Sequence, residues 1–378
     1  MGLYVHLPWC VSKCPYCDFN SHALRGELPE ERYRRALLSD LRDEMSVPGI
    51  VSVGSVFFGG GTPSLFSART IEVVLRTLAD AGVLADSAEV TLEANPGTVE
   101  RGSFRDYAAA GVNRVSLGVQ SFSASALARL GRIHSPAEVW GAIEDVRRAG
   151  IPRLNLDLMY GLPEQTVAEA LEDLDQALTA SPEHLSQYQL TLEPNTLFHA
   201  RPPSLPTDED VWDAFEACHA RLADSGYRRY EVSAYAMPGH ECRHNLNYWE
   251  FGDYVGIGAG AHGKRSDARE GRVVRSSKMK HPDSYMRARP PVQEVTEVTG
   301  NDRVFEFMLN ALRLTGGFGE AMFEARTGVS ADHIRSPLSE AESRGLICRR
   351  KPSGWQPTDR GMRFLNDLQS LFLPEADQ

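Results

Sequence analysis

Six times in about 225 residues the chain repeats one unit, a short apolar run followed by a stretch whose apolar residues recur at helical spacing. The run Gly2 to Leu7 precedes a stripe of Tyr33, Leu37, Leu38, Leu41 and Met45, with Pro29 near the first helical turn. Val53 to Phe58 precedes Ile71, Val74, Leu75 and Leu78; Val90 to Ala94 precedes a helix expected from Val99; Val115 to Val119 precedes one expected from Pro136. Leu154 to Met159 leads to Val167, Leu171, Leu174 and Leu178, and Leu185 to Leu192 leads to Val211, Phe215 and Leu222. A helix between successive strands makes them parallel, so the pattern predicts an α/β fold with a partial parallel (β/α) barrel. Tyr227 to Ala234 reads as a seventh strand.

A barrel of this kind uses roughly 200 to 250 residues. With 378 residues, the chain has room for a second, smaller domain. Three regions are expected: the barrel over 1–235, a glycine-rich extension and linker over 236–300, and a compact helical domain over 301–378. In the last, helical stripes are followed by a small hairpin around Leu346 to Trp355 and a final helix from Arg360, the order of a winged helix. Its basic residues Arg344, Arg349, Arg350 and Lys351 read as a solvated wing, because 40 Lys and Arg against 51 Asp and Glu leave a net charge of -11. That balance disfavours a nucleic acid partner.

Cysteine usage narrows the chemistry. Of six cysteines, Cys10, Cys14 and Cys17 form a C-x3-C-x2-C run just after the first strand, while Cys218, Cys242 and Cys348 are scattered. This is metal usage in a reducing compartment rather than a disulfide framework, and the chain is expected in the cytosol. No export signal or run of about 18 apolar residues is evident, and peripheral contact with a membrane is compatible with that. Three thiolates on one loop can face one metal centre yet leave a fourth position open, whereas a structural zinc site normally closes with a fourth ligand.

In a parallel barrel the site forms at the C-terminal ends of the strands. There the sequence places Gly59-Gly60-Gly61-Thr62-Pro63, Glu93-Ala94-Asn95-Pro96, Gln120-Ser121-Phe122 and Asp157-Leu158-Met159-Tyr160-Gly161. Singly, each is ordinary turn chemistry. Jointly, they set a triple glycine, a Glu and an Asp on the same rim as three cysteines. Further on, Tyr254 to Gly263 is dense in glycine and suited to close approach by a ligand or another backbone. His262 within it reads as structural.

The cysteine spacing, Tyr16 between the last two cysteines and the Gly-Gly-Gly-Thr-Pro run resemble the radical S-adenosylmethionine (SAM) superfamily. The runs Tyr4 to Cys10, Glu93 to Pro96, Gly118 to Phe122, Asp157 to Pro163 and His244-Asn245-Leu246-Asn247-Tyr248 narrow this to the coproporphyrinogen dehydrogenase-related group, and a C-terminal helical module fits as well. The resemblance implies that Cys10, Cys14 and Cys17 hold a 4Fe-4S cluster with Tyr4 beside it. It implies that Tyr16, Gly60, Gly61, Thr62, Glu93, Gln120, Arg132 and Asp157 bind SAM. Phe19 stands where the dehydrogenase has a fourth cysteine, and only three residues precede Tyr4. Both departures, with the HNLNY run, resemble the HemW-type haem chaperones, in which the His of that run is implicated in haem binding. His244 is therefore a haem-ligand candidate, with Cys242 as competitor, against the bland alternative that HNLNYW only packs a loop under the barrel mouth.

The resemblance thus implies a haem carrier that passes haem to acceptor haemoproteins. The rival is an enzyme that oxidatively decarboxylates coproporphyrinogen III through radical SAM chemistry in porphyrin biosynthesis, and either role requires an electron donor. A zinc-stabilised protein with a distant fourth ligand such as Cys242 is the third alternative.

Overall fold

The computed structural model describes residues 1–97, 103–267, 271–351 and 353–374. Seven parallel strands form the centre of a twelve-stranded sheet, in spatial order Tyr254–Ile257, Gly2–Leu7, Val53–Gly60, Leu84–Ala94, Arg114–Gln120, Arg153–Tyr160 and His184–Gln189. Antiparallel strands extend both edges: Ala234–Ala236 and Arg228–Arg229 beyond the last, and His262–Asp267, Arg272–Lys278 and Val292–Val298 beyond the first. The two edges do not pair among the described residues, so the barrel is partial and open on one side.

The helices follow from their sequence stripes. Glu30–Ser46 buries Tyr33, Leu37 and Leu41, and Ala68–Asp80 buries Ile71, Val74 and Leu75. Pro136–Arg148 and Val167–Thr179 each begin with a capping box, Ser135 with Glu138 and Thr166 with Glu169, which satisfies amides the first turn leaves open. Packed on the outer sheet face, these stripes bury Leu3, Val5, Leu7, Val56, Phe58, Leu92, Val115, Leu117, Leu154 and Leu156 in one core. Each such side chain contributes roughly 1.5–3 kcal/mol of transfer free energy.

One expectation is corrected and another lies outside the described residues. Tyr227 to Ala234 is no seventh barrel strand, because the chain reverses there: the Tyr230 amide donates to Ala234 O at 3.1 Å and two short antiparallel strands result. The seventh parallel position is taken on the opposite side of the sheet by Tyr254–Ile257, which pairs with Gly2–Leu7. The helix expected from Val99 has its start outside the described residues, and the helix observed is Phe104–Ala109.

The stretch 236–300 contributes four strands to the main sheet and lends Phe251, Val273 and Val298 to a second core. That core belongs to the C-terminal module of Gly300–Ala311, Glu320–Thr327, Arg335–Ser343 and the hairpin Ile347–Arg350 with Gly354–Pro357. Phe318–Gly319 adds a third strand, which completes a winged-helix arrangement. The basic wing is internally engaged: Arg344 pairs with Glu340, Arg349 lies 4.2 Å over the Trp355 ring, and Arg350 Nη1 donates to Gly316 O at 2.8 Å.

Candidate active site

Each barrel strand alternates, and the alternation builds the site. On the first strand Leu3, Val5 and Leu7 point to the helices, so Tyr4 and His6 point inward. By the same register Ser55, Phe57 and Gly59, then Glu89, Thr91 and Glu93, then Arg114, Ser116 and Gly118, then Asn155 and Asp157 line the interior. The runs that read as apolar are therefore half polar. An interior with one polar set per strand departs from the Val, Ile and Leu layers that usually fill such barrels.

At the strand ends the cysteine loop closes over this interior. The Gly61 and Thr62 amides donate to Leu7 O and Trp9 O, both at 2.8 Å, tying the glycine run to the start of the loop. A Cβ on Gly61 would lie 2.6 Å from Trp9 O, and one on Gly60, whose φ is +115°, 2.5 Å from the His6 ring. Only glycine lets the two segments approach so closely. The glycine-dense run near His262 works in the same way, since a Cβ on Gly258 would sit 2.3 Å from His6 O.

One cavity gathers Cys10, Cys14, Cys17, Tyr16, Gly60, Gly61, Thr62, Glu93, Gln120, Arg132 and Asp157 on its walls. These are all the expected cluster and SAM residues except Tyr4. Glu93 Oε2 accepts from the Gly60 amide at 3.1 Å, but burial and the neighbouring Asp157 push its carboxyl up to about 8. Burial also raises Asp157, against hydrogen bonds from Ser186, Asn155 and Ser116; Asn155 Nδ2 donates at 2.7 Å and Ser116 Oγ at 3.0 Å. Two carboxyl groups held reluctant to ionise suit a cationic or hydroxyl-rich ligand, which would repay their charge on binding. Arg132 donates to Asn95 Oδ1 at 2.6 Å, to Gly118 O at 2.8 Å and to Cys14 Sγ at 3.5 Å. Gln120 sits at φ +69°, an uncommon backbone for a non-glycine residue, and its Oε1 accepts from the Tyr188 hydroxyl at 2.7 Å.

A second cavity adjoins the first, sharing Phe19, Gly60 and Glu93. Tyr4 lines this one, and its hydroxyl donates to His6 Nδ1 at 3.0 Å while His6 Nε2 donates to Asn20 O at 2.9 Å. Burial lowers His6 to about 4, so the ring is neutral and this tautomer is consistent with both bonds. Tyr248, Tyr254 and the exposed His262 complete the wall. The HNLNY run thus sends its tyrosine, not its histidine, to a cavity.

His244 lies elsewhere. It is 2% exposed, at the N-terminal ends of the strands, on the short helix Arg243–Trp249 that plugs the barrel floor. Its Nδ1 is 3.1 Å from Ser55 Oγ, its ring stacks on Phe57 with centroids 5.0 Å apart, and its buried Nε2 has no partner. It faces neither cavity. Cys242 is buried beside it with Sγ 3.6 Å from Glu89 Oε1. Four residues of strand separate Glu89 from Glu93, about 13 Å, so Cys242 cannot serve as a fourth ligand to the cysteine loop.

The donor set fits an iron–sulfur cluster. Cys10, Cys14 and Cys17 are free, partly exposed and on one cavity wall, with Arg132 beside Cys14 and Ser21 Oγ 3.6 Å from Cys17 Sγ. No three His, Cys, Asp or Glu converge on a single-ion position among the described residues. A cluster demands less convergence than one ion, because each thiolate takes a different iron. His6, Ser116 and Tyr188 are site residues that sequence reasoning did not single out. The period-2 alternation of each strand was the signal that pointed to them.

Residues 4–177 match the family model described as the radical SAM superfamily, and residues 298–364 match the one described as the HemN C-terminal domain. The chain is 50% identical over 375 residues to the heme chaperone HemW of Escherichia coli, covering 99% of this chain and 98% of that protein. It is 48% identical over 379 residues to the heme chaperone HemW of Haemophilus influenzae, with 99% and 98% covered. Among solved structures, the coproporphyrinogen III oxidase HemN of Escherichia coli, described as a radical SAM enzyme, matches with a TM-score of 0.81 at 22% identity, covering 98% of this chain and 89% of that one. The last likeness establishes a shared fold.

Proposed function

We propose, from the premise that the chain belongs to the HemW family of the radical SAM superfamily, that it is a haem chaperone: it binds haem, carries a 4Fe-4S cluster with SAM, and passes haem to acceptor haemoproteins. The observation that carries this reading is end-to-end identity to proteins named heme chaperones, where HemN shares the fold at far lower identity. Phe19, 62% exposed and common to both cavities, supports it, standing at a position where a cysteine would add a thiolate to the rim.

In this reading Cys10, Cys14 and Cys17 hold the cluster. With the cluster bound, the site would supply a one-electron reductant and an open coordination position to SAM. The chain's own residues do the rest. Glu93 and Asp157 accept from the ammonium group or ribose hydroxyls, Arg132 pairs with the carboxylate, and the Gly60-Gly61-Thr62 backbone gives the ligand close access. Gln120 and Tyr16 close the cavity. Tyr4 orients His6 beside the cluster. His244 enters as a haem ligand only if the helix Arg243–Trp249 leaves the floor. No helix among the described residues is long and apolar enough to cross a membrane. A cytoplasmic location, an electron donor and peripheral membrane contact belong to the proposal, as does the division 1–235, 236–300 and 301–378.

One preparation tests the reading. Anaerobically reconstituted protein is expected to bind about four irons and four sulfides, to bind haem, and to leave coproporphyrinogen III unconsumed in the presence of reductant and SAM. Formation of protoporphyrinogen IX would establish the oxidase instead, and stoichiometric zinc without sulfide would remove both.

A further inference from the structure

A buried file of polar groups runs from the barrel floor to the candidate SAM site. It starts where the chain turns between Arg228–Arg229 and Ala234–Ala236, with the Tyr230 hydroxyl 2.9 Å from His184 Nε2. His184 Nδ1 is 2.6 Å from Asn155 Oδ1, and Asn155 Nδ2 donates to Asp157 Oδ1 at 2.7 Å. The sheet sets this order. Asn155 and His184 are register partners on adjacent parallel strands, and Asp157 follows two residues on, on the same inward face. His184 and Asn155 are each 1% exposed, so bulk water does not compete for these bonds.

With Asp157 ionised, the hydrogens in this file can point only one way. Were the Asn155 amide turned over, its oxygen would face the carboxylate, two acceptors with no hydrogen between them. Asn155 Oδ1 therefore accepts, His184 carries its proton on Nδ1, and His184 Nε2 accepts from the Tyr230 hydroxyl. The Tyr230 oxygen in turn accepts from the Cys242 amide at 3.4 Å. Burial and then Arg114 hold the His184 ring neutral, as this arrangement requires. Every donor thus points toward Asp157, and bonds aligned in series polarise one another in favour of its ionised form.

The far end of the file is held by the C-terminal module. The Thr315 amide donates to Tyr230 O at 3.1 Å and Thr315 Oγ1 to Arg229 O at 2.9 Å, while Arg313 Nη2 lies 3.3 Å from Glu231 Oε2. We propose that Tyr230, His184 and Asn155 are positioning residues that aim Asp157 at SAM and tie that aim to the docking of the C-terminal module on the barrel. The proposal rests on the reading of Asp157 as a SAM contact and goes beyond it in coupling the site to the second domain. The Tyr230 hydroxyl selects the tautomer. Without it the His184 proton is free to sit on Nε2, which sets the Nδ1 lone pair against Asn155 Oδ1 and turns the amide oxygen toward Asp157.

Calorimetric titration of SAM into the anaerobically reconstituted chain tests this in Tyr230→Phe, Asp157→Asn and the double variant. Tyr230→Phe removes one oxygen and keeps the ring, so iron and sulfide content should be unchanged while SAM binding weakens about threefold to tenfold. In the Asp157→Asn background the same change is expected to cost nothing further, because the file then has no carboxylate to aim. Linkage is reciprocal, so SAM should slow hydrogen exchange at the Thr315 amide by about the same factor in the native chain and not in Tyr230→Phe. Native SAM affinity in Tyr230→Phe overturns the proposal, and so does a loss of equal size in both backgrounds, which is what a merely structural role would give. Exchange at Thr315 that is indifferent to SAM overturns the link to the C-terminal module. A native chain that holds a full cluster and does not bind SAM overturns the SAM reading itself, a result distinct from SAM binding that ignores Tyr230.

Discussion

At the barrel floor Glu89 takes three donors, Arg153 Nη1 at 3.0 Å, the His244 amide at 3.2 Å and Cys242 Sγ at 3.6 Å, whereas four residues along the same strand Glu93 takes, among the described residues, only the Gly60 amide at 3.1 Å. The floor continues in the same manner: His184 spends one nitrogen on Asn155 at 2.6 Å and the other on the Tyr230 hydroxyl at 2.9 Å. The mouth instead carries carboxyl groups raised by burial, a cavity and a strained Gln120. Both ends come from one alternation on one set of strands. Where polar side chains satisfy one another they weld the strands together, and where their capacity is left over they can bind. His244 shows the value of the distinction, because a motif histidine stacked on Phe57 under the floor is held by packing and faces neither cavity.

Substitutions at the two ends should therefore separate binding from stability. The largest effect is expected at the mouth from Cys14→Ala, which removes one of three thiolates: iron and sulfide content after reconstitution should fall close to zero while the apo fold melts nearly unchanged. Retention of a full cluster would show that the loop does not hold it. Next comes the floor. Glu89→Ala strands Arg153 and the buried Cys242, and should cost about 3 kcal/mol in denaturant unfolding, with cluster content intact in the protein that remains folded. Cluster loss without a stability change would erase the contrast between the two ends. Gly61→Ala should follow. Its Cβ would sit 2.6 Å from Trp9 O and must push the cysteine loop away from the rim, so SAM affinity measured by calorimetry should drop about tenfold at a stability cost of about 1–2 kcal/mol.

The six repeated units, the rim and the winged helix were legible because each is local: a stripe, a cap or a run of glycines is written within about twenty residues. What escaped is what joins distant segments. Tyr254–Ile257 supplies the seventh parallel strand with four residues, too few for a periodicity to declare itself, and its place depends on pairing with Gly2–Leu7, about 250 residues away in sequence. Ser55 and His244 meet across 189 residues of sequence, so the HNLNY run showed its chemistry without its location. The inward polar set was visible in principle, since Tyr4 and His6 alternate with Leu3, Val5 and Leu7, but a strand bounded by Val and Leu reads first as apolar.

The smallest effect expected is also the sharpest test of unspent capacity at the mouth. Glu93 is raised from its ordinary 4.5 to about 8, chiefly by burial and then by Asp157. The folded chain thus holds this proton more tightly than the unfolded one, so the contribution of Glu93 is complete below pH 4.5 and is lost as pH rises through 8. Glu93 lines two open cavities, which moderates the loss to on the order of 1–2 kcal/mol. The apo protein should therefore melt lower at pH 9 than at pH 6, and Glu93→Gln should flatten that difference. A bound ammonium group wants the ionised form, so SAM should stabilise the native chain more at pH 9 than at pH 6 and the Gln variant about equally at both. Equal pH slopes in the two proteins would mean that Glu93 is already satisfied, and the mouth would then differ from the floor in shape alone.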